Sequence, residues 1–407
     1  MVGDSGIEDA ALLARAQSQA LAILVVSSGE GGSMQVRVES ELGHLAARWD
    51  ALLDQAPRPS VFLRSWWLQA VVTGTAQFVL VFDGDELIGG CPLQEVEWHG
   101  LPLVEFVGTG PLEPDHLDVV AARGKEVRIR DAVLAWLLRP GARVIDLQGL
   151  NADSILLSDP DQLAAAEVME AAPYADLAVG VEAFLASRRT SMRRHFRQAE
   201  RRMERAQVEF RMCDELTIEA GLEALRSMHE QRWGDESSFI AGWEQFRSAA
   251  LAGIAMGEVV LAEALLPDGQ PIAAAVVLTC GTIAYNYQAG RLQDQRWTRS
   301  GQWLDYRLLV AHPKWSELDW LRGDEPYKSD WTTDKRTLYR LRFGHGPRAK
   351  LAVEASRAVT FIHEHEPGHH GDANDKHESV PVPATGSEGY PRSAGSPPAA
   401  TGSAGPQ

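Results

Sequence analysis

The sequence has few cysteines, no long apolar run and too little positive charge to balance its acids. The three cysteines, Cys91, Cys213 and Cys280, are scattered and odd in number, so their spacing indicates neither a disulfide framework nor a metal site. A reducing cytoplasm is the expected location. No apolar run approaches the roughly 20 residues that cross a bilayer, and we predict no membrane span. The net charge of −17 argues against general affinity for nucleic acid or anionic membranes, but it leaves room for a local basic site.

The two ends of the chain differ from its body. Residues 1–33 lack the basic start of a signal peptide and are interpreted as an N-terminal extension. From about residue 363 the chain is rich in Gly, Pro, Ser, Ala and His, and it has too few large apolar residues to offset its ordering entropy. We predict a disordered tail over 356–407. Its histidines have the chemistry of metal ligands, but a solvated tail is the favoured interpretation, and no metal is predicted.

The body of the chain shows the same order of elements twice: helix, hairpin, strand, helix, strand. The hairpin signals are Asp83-Gly84-Asp85 in the first half and Asp268-Gly269 in the second. This repeat predicts a duplicated α+β protein with a mixed sheet flanked by helices in each half. We place the first domain at 34–175 and the second at 176–355.

An arginine-rich segment, 187–206, follows the joint between the halves. It carries eight arginines against two glutamates in an acidic protein. Its apolar residues recur at steps of three and four, which predicts a helix with one buried face: Met192, Phe196, Ala199, Met203 and Ala206. We expect Glu200 to pair with Arg197 and Glu204 with Arg201. The exposed arginines are either a solvated face or an anion site for the phosphates of a nucleotide-type donor, a nucleotide-sugar or RNA.

A second unusual segment, DWLRGDEPYKSDW at 319–331, mixes both charges with three large aromatic residues. It begins as the end of a strand, and Gly323 permits a sharp exit. A helix capped by one of the two acids before Pro326 would place Tyr327 and Trp331 on one face. The segment is either a site for a polar acceptor or a capped helix with internal ion pairs and core aromatics.

The loop before the last long helix of the second half carries three arginines: Arg291, Arg296 and Arg299. The helix is predicted to begin near Ser300-Gly301. A helix N-terminus presents free N–H groups and partial positive charge, so a phosphate could bind there. The alternative is a plain helix start with solvated arginines.

Taken in order, PYADL, SRR…RRHFRQAERRME, RW, AYNYQAG, RSGQWL and LDWLRGDEPYKSDW resemble the CelD/BcsL acyltransferase family. This family is a branch of the GNAT superfamily and is similar to the FemABX peptidyltransferases. The resemblance covers roughly 40–345 and is most specific over 187–331. It implies tandem GNAT-like domains, each a mostly antiparallel mixed sheet, and acyl transfer (EC 2.3.1) to an amine or hydroxyl, often in envelope or polysaccharide pathways.

The resemblance also implies roles for individual residues. Tyr327 would be the general acid that protonates the leaving thiolate, and Lys328 would stabilise oxyanion charge. Asp324 or Glu325 would deprotonate the acceptor if burial raises the pKa of its carboxyl. Glu263, on a predicted strand, is either a further base or a solvent-facing residue.

Binding roles are implied for two further groups of residues. The donor would be acyl-CoA, such as acetyl-CoA, held by Arg291, Arg296, Arg299, Ser300 and Gly301. The acceptor, a small molecule or glycan precursor, would contact Arg322, Trp331, Arg193 and Arg197. The family loop usually carries two glycines, whereas this one has Gly301 alone. An aminoacyl-tRNA donor, as in FemABX relatives, and a non-catalytic scaffold role are the alternatives.

Overall fold

The computed structural model describes residues 24–26, 34–234 and 237–364. Fourteen strands of these residues belong to one sheet. They are β1 (Leu24–Val26), β2 (Met34–Glu39), β3 (Thr75–Asp83), β4 (Glu86–Trp98), β5 (Leu101–Phe106), β6 (Val120–Ala121), β7 (Arg143–Asn151), β8 (Glu167–Asp176), β9 (Glu209–Met212), β10 (Val259–Leu265), β11 (Pro271–Cys280), β12 (Ile283–Arg291), β13 (Glu317–Asp319) and β14 (Asp334–His345).

Helices flank this sheet and connect its strands. In chain order they are α1 (Ala46–Leu53), α2 (Ser65–Val71), α3 (Glu126–Leu137), α4 (Pro160–Ala165), α5 (Val181–Ser187), α6 (Thr190–Arg205), α7 (Ile218–Trp233), α8 (Ser238–Ala241), α9 (Trp243–Ala255), α10 (Ser300–Ala311) and α11 (Pro347–Glu364). None of the helices in the described residues is long and apolar enough to cross a membrane.

The sheet repeats one strand order twice. The first half runs β2-β3-β4-β5-β7 and the second β9-β10-β11-β12-β13, each in sheet order. All neighbours on these paths are antiparallel except the last pair of each half, β5 with β7 and β12 with β13. The prediction of an α+β fold with a mixed, mostly antiparallel sheet flanked by helices is confirmed.

The halves exchange their last strands. Strand β8 follows β7 in the chain but pairs with β13 of the second half, and β14 follows β13 but pairs with β7 of the first. β8 and β14 also pair with each other, which makes the sheet continuous. The predicted boundary between residues 175 and 176 lies at the end of the exchanged strand β8, and the division into 34–175 and 176–355 stays a prediction.

Local chemistry explains the elements that the sequence predicted. Both hairpins form, between β3 and β4 and between β10 and β11, and each turn holds a glycine at positive φ, Gly84 and Gly269. Helix α6 buries four of its predicted apolar residues: Met192, Phe196, Ala199 and Met203. Each large side chain buried in this way contributes roughly 1.5–3 kcal/mol.

The predicted terminal segments differ in part from the structure. Strand β1, in the predicted N-terminal extension, pairs with β2. Helix α11 continues to Glu364, so the predicted start of the tail at 356 falls inside a helix, because the sequence keeps apolar residues as far as Phe361 and Ile362. The rest of both predicted segments, 1–23, 27–33 and 365–407, lies outside the described residues.

Candidate active site

The parallel pair of the second half opens at one end. Strands β12 and β13 are paired through only three positions, the last being Tyr285 with Asp319. Beyond it β12 continues to Arg291, and no described residue donates or accepts a backbone hydrogen bond along 286–291 on the β13 side. On the opposite side the register with β11 shifts, and Tyr287 is the extra residue of a β-bulge. The result is an open strand edge between two splayed strands.

A sharp turn ends β13 at this opening. Leu321 adopts a positive φ of 56°, which is uncommon for a non-glycine residue, and Gly323 follows at 96°. The buried Asp319 carboxylate accepts a hydrogen bond from the Leu321 N–H at 2.8 Å, which stabilises the turn. Leu321 is itself buried, so packing and hydrogen bonding together hold the strained backbone.

Lys328 closes the same turn from within. Its side chain is only 6% exposed, and Nζ donates to the carbonyls of Arg322 and Gly323 at 2.7 and 3.1 Å. The Glu325 carboxylate lies 2.8 Å from the same nitrogen. Lys328 thus stabilises the turn by bonding two of its carbonyls. Its predicted role in stabilising an oxyanion stays a prediction.

Arg322 points to the first half rather than into the opening. Its backbone N–H and Nε donate to the buried Asp115 carboxylate at 2.7 and 2.8 Å. Although burial opposes it, Asp115 raises the pKa of the Arg322 guanidinium. The residue thereby ties the turn to the loop 107–119, and no described contact of its side chain faces the open edge.

Asp319 joins the two halves on the same side. It lies 3.2 Å from Nε2 of His116, and Arg58 and Arg336 lie at 3.3 and 3.1 Å. Burial would raise the pKa of Asp319, but His116, the Leu321 N–H and Arg58 together lower it. This buried ion cluster positions the open end of β12 and β13 against the first half.

Tyr327 lies at the mouth of the opening. The predicted helix is reduced here to a short 3-10 turn, Lys328–Asp330. The Tyr327 side chain is 52% exposed and contacts the edge of Trp320. Burial around the hydroxyl, with Glu325 and Asp305 nearby, raises the pKa of Tyr327 above its usual value. A protonated phenol is the form that a general acid requires.

Trp331 is a core residue. It is 1% exposed and packs on Phe196 and Trp320 at ring distances of 4.9 and 5.6 Å. The structure therefore favours the core-aromatic interpretation of this residue over direct contact with an acceptor.

Asp305, which the sequence reasoning missed, faces the open edge from α10. Its Oδ1 lies 3.4 Å from Nδ2 of Asn286, the first β12 residue beyond the parallel pairing. Burial raises the pKa of Asp305 to about 7 despite this contact, close to the pH at which a general base works best. One signal was available: Asp305 is the only acid in the α10 sequence SGQWLDYRLLVA.

His229 approaches β12 from α7. It is 8% exposed, and neither ring nitrogen has a hydrogen-bond partner of normal geometry among the described residues. Burial and the charge of Arg232 lower the pKa of His229 to about 4, against a small opposing effect of the Ala289 backbone. The imidazole is therefore neutral near pH 7.

The arginine loop leads from β12 to the free start of α10. No side chain caps the first turn of this helix, and the space beside Gly301 is open. The Ser300 hydroxyl donates to the Trp297 carbonyl at 2.8 Å, and Ser300 is fully buried, so Gly301 is the predicted helix-start residue with open space for an anion. Of the loop arginines, Arg296 is highly exposed and pairs with Asp294 at 2.6 Å.

Arg291 and Arg299 flank this exposed pair. Arg291 donates to the neighbouring Leu292 carbonyl at 3.1 Å, and Arg299 stands at the cap position of α10. All the predicted donor-binding residues thus lie along one stretch between the open strand and the helix start.

Two of the predicted bases lie away from the opening or on the surface. Glu263 is buried on β10, where Arg211 Nε donates to it at 3.1 Å and Cys213 Sγ lies at 3.2 Å. Asp324 is exposed and pairs with Lys335 at 2.9 Å. Neither Glu263 nor Asp324 has a described contact with Asp305 or Tyr327.

The exposed face of α6 keeps its arginines. Arg193 contacts the Thr190 hydroxyl at 3.4 Å, and no ion pair of Arg197 occurs among the described residues. The predicted pairing of Glu200 with Arg197 is wrong, because Glu200 turns toward α10. It accepts from Trp303 Nε1 at 2.6 Å and from Arg307 at 3.0 Å. The described residues contain no group of three or more metal-ligating side chains.

Known proteins resemble this chain in sequence over one segment and in fold over most of its length. Residues 186–329 match the family model described as an acetyltransferase (GNAT) domain. No curated protein matches the chain. Among solved structures, FemX is 12% identical with a TM-score of 0.54, over 72% of this chain and 95% of FemX. L-PGS from Bacillus licheniformis is 10% identical with a TM-score of 0.50, over 78% of this chain and 96% of that protein.

At these identities the two structures show similarity of fold alone. The matched segment, in contrast, contains the open edge, Asp305 and the 319–329 turn. Residues 186–329 therefore match a GNAT-type acetyltransferase domain in the part of the chain that holds this geometry.

Proposed function

We propose that the protein is an acyltransferase that moves an acyl group from acyl-CoA to an amine or hydroxyl, with its active site at the open edge of β12. The observation that carries this proposal is the splay of β12 from β13 beside an uncapped α10 N-terminus. A strand edge with unpaired N–H and C=O groups can pair with the amides of a pantetheine arm. The helix N-terminus and the loop arginines can bind its phosphates.

The donor fits the residues that line this stretch. Arg291, Arg296 and Arg299 precede α10, whose first backbone N–H groups have no capping side chain. The thioester would then lie near Asn286, where the parallel pairing ends. Acetyl-CoA is the donor to test first, since the matched domain is described as an acetyltransferase.

Asp305 and Tyr327 supply the proton transfers. We assign the Asp305 carboxylate as the base that takes the proton of the acceptor as its nitrogen or oxygen attacks the thioester carbon. The C–S bond then breaks, and Tyr327 donates its phenolic proton to the leaving thiolate. Proton return from Asp305 to Tyr327, directly or through water, restores the enzyme. The buried Lys328 holds the turn that carries Tyr327 in place.

The acceptor class follows from the surrounding charges. Glu325, Asp305 and Arg232 all lie near enough to Tyr327 to affect the pKa of its phenol, so both signs of charge are present and a polar or polyhydroxylated acceptor is favoured over an apolar one. Membership in the CelD/BcsL family, a glycan-precursor acceptor and a cytoplasmic location are also part of this proposal, and they are supported by the sequence resemblance rather than by these charges.

Titration calorimetry of the whole chain with CoA and acetyl-CoA tests the proposal. We expect saturable binding that weakens at least tenfold in the variant Arg296→Ala/Arg299→Ala. The matched control Arg123→Ala/Arg348→Ala removes two exposed arginines elsewhere and should bind as the wild type does. Absence of binding to either ligand by the wild type would overturn the acyl-CoA assignment.

An aminoacyl-tRNA-dependent transfer is the second candidate. The similarity of fold to FemX and the exposed arginines of α6 favour it, while the net charge of −17 counts against it. Binding to tRNA that weakens steeply between 50 and 200 mM salt, in a protein that ignores CoA, would favour this candidate. A scaffold role would require that neither donor binds.

A further inference from the structure

The exposed face of α6 carries a regular stripe of arginines. Arg189, Arg193, Arg197, Arg201 and Arg205 recur every four residues, and all five are exposed. None has a carboxylate within ion-pair distance among the described residues. The stripe is therefore a row of uncompensated positive charges about 24 Å long on a protein of net charge −17.

Helix energetics oppose this arrangement. Like charges four residues apart destabilise a helix by about 0.2–0.5 kcal/mol per pair. Arginines in the first turn also act against the helix dipole. Packing of the buried face, led by Phe196 against Tyr306 and Trp331, holds α6 in place despite these costs. A stripe that weakens its own helix indicates that an anionic partner gains from it.

The helix that carries the stripe ends near the proposed donor site. Glu200 of α6 bonds Trp303 and Arg307 of α10, so the two helices are fixed to each other. At the C-terminal end of α6, Arg202 is close enough to Asp294 of the arginine loop to lower the pKa of that carboxyl, behind the larger effect of Arg296. The C-terminal end of the helix that carries the stripe therefore lies near the arginine loop, and α6 is fixed to the helix that begins after this loop.

We propose that this arginine stripe docks an acidic helix of a carrier protein, which delivers the acyl group on a phosphopantetheine arm. The inference rests on the acyltransferase function proposed above. Arginines spaced four residues apart rise about 6 Å and turn about 40° per step, so the three central ones, Arg193, Arg197 and Arg201, can face acids at four-residue intervals on one partner helix.

A protein partner agrees with the charges better than RNA does. The stripe is confined to one helix, whereas RNA extending beyond it would meet the acidic remainder of the molecule. Electrostatic docking of this kind adds mainly to the association rate and to selectivity among partners.

The test measures the binding of three probes to the full-length chain: an acyl carrier protein bearing its pantetheine arm, CoA, and total tRNA. The variant Arg193→Ala/Arg197→Ala/Arg201→Ala removes the centre of the stripe. The control Arg123→Ala/Arg348→Ala/Lys350→Ala removes the same charge from exposed positions elsewhere. We expect the carrier protein to bind tighter than CoA, and to lose at least tenfold in the stripe variant only, with CoA binding unchanged.

The other outcomes separate the two proposals. CoA binding with a carrier protein that binds no tighter, or equally in all variants, overturns the docking surface and leaves the acyltransferase proposal standing. Stripe-dependent binding of tRNA instead of the carrier protein overturns the choice of partner. Binding of neither CoA nor the carrier protein overturns both proposals.

Discussion

The two parallel strand pairs of this protein end differently. In the first half β5 stops at Phe106, and the edge of β7 beyond it is taken by the loop 107–119, where the Leu117 N–H donates to the Gly149 carbonyl at 3.0 Å. In the second half β13 stops and β12 continues for six residues with that edge free. One topology therefore gives a filled end and an open end. The loop that fills the first end also positions the second, through Asp115 and His116.

Each half also places a carboxyl beside a side-chain amide. Glu105 accepts from Gln94 at 2.7 Å and is buried, and burial raises its pKa to about 7. Asp305 has the same raised pKa of about 7 but a longer amide contact with Asn286 of the open strand, and its charge raises the pKa of Tyr327. A raised pKa thus accompanies both a structural and a candidate catalytic carboxyl. Access to the open edge, rather than the pKa, distinguishes them.

The largest effect, on the free energy of unfolding, is expected at Asp319, which joins the second half to the loop of the first. Asp319→Ala leaves the buried His116 without its carboxylate, while the partly buried Arg58 and Arg336 keep only Glu317, and we expect a loss of about 3–5 kcal/mol in the free energy of unfolding. Urea denaturation followed by tryptophan fluorescence measures it. The exposed ion pair of Asp324 provides the control, since Asp324→Ala should cost less than about 1 kcal/mol. Equal losses in both variants would contradict a structural role for the cluster.

The sharpest comparison of function is between the two carboxyls. Asp305→Asn should lower kcat by about 10²–10⁴-fold, while Glu105→Gln leaves kcat unchanged. Because Asp305 acts deprotonated, wild-type activity should rise with pH through about 7, and the Asn variant should lose this rise. Steady-state kinetics with acetyl-CoA across pH 5.5–8.5 measures both. A similar loss of kcat in the two variants would contradict the assignment of Asp305 as the catalytic base.

The buried carboxyl of the first half, Glu105, should instead affect how the free energy of unfolding depends on pH. The pKa of Glu105 is raised from 4.5 to about 7, so the folded state holds a proton that the unfolded state releases. Stability from this group is present below about pH 4.5 and is lost as pH rises to 7 and beyond. Relative to wild type, Glu105→Gln should therefore gain on the order of 3 kcal/mol between pH 4.5 and 8. A constant difference across this range would show that Glu105 ionises normally.

The smallest effect is expected for the half-exposed phenol. Tyr327→Phe should lower kcat by about 10²-fold at most, because a thiolate is a good leaving group and can depart without a proton. The matched variant Tyr339→Phe alters a tyrosine on β14, which β8 and β13 separate from β12 in the sheet, and should keep full activity. A thioester with a more acidic leaving thiol should restore much of the loss in Tyr327→Phe, and failure to do so would argue against protonation of the thiolate.

The sequence by itself determined much of the local structure. Glycines at required positive φ marked both hairpins, apolar spacing marked α6, and the repeat of elements predicted the mixed sheet of each half. These features depend on residues close together in the chain, whose conformational preferences act locally. The arginine loop and the start of α10 were predictable for the same reason.

Only the tertiary structure decided which charged groups are used for structure and which face the opening. Lys328, Arg322 and Glu263 read as site residues in sequence, but their partners lie in the turn, in the first half and on β9. Asp305 was missed because Asn286, Tyr327 and its own helix come together from three separate segments. Burial and partner distance set these roles, and both depend on the exchange of β8 and β14 and on packing between distant parts of the chain, which no local pattern encodes.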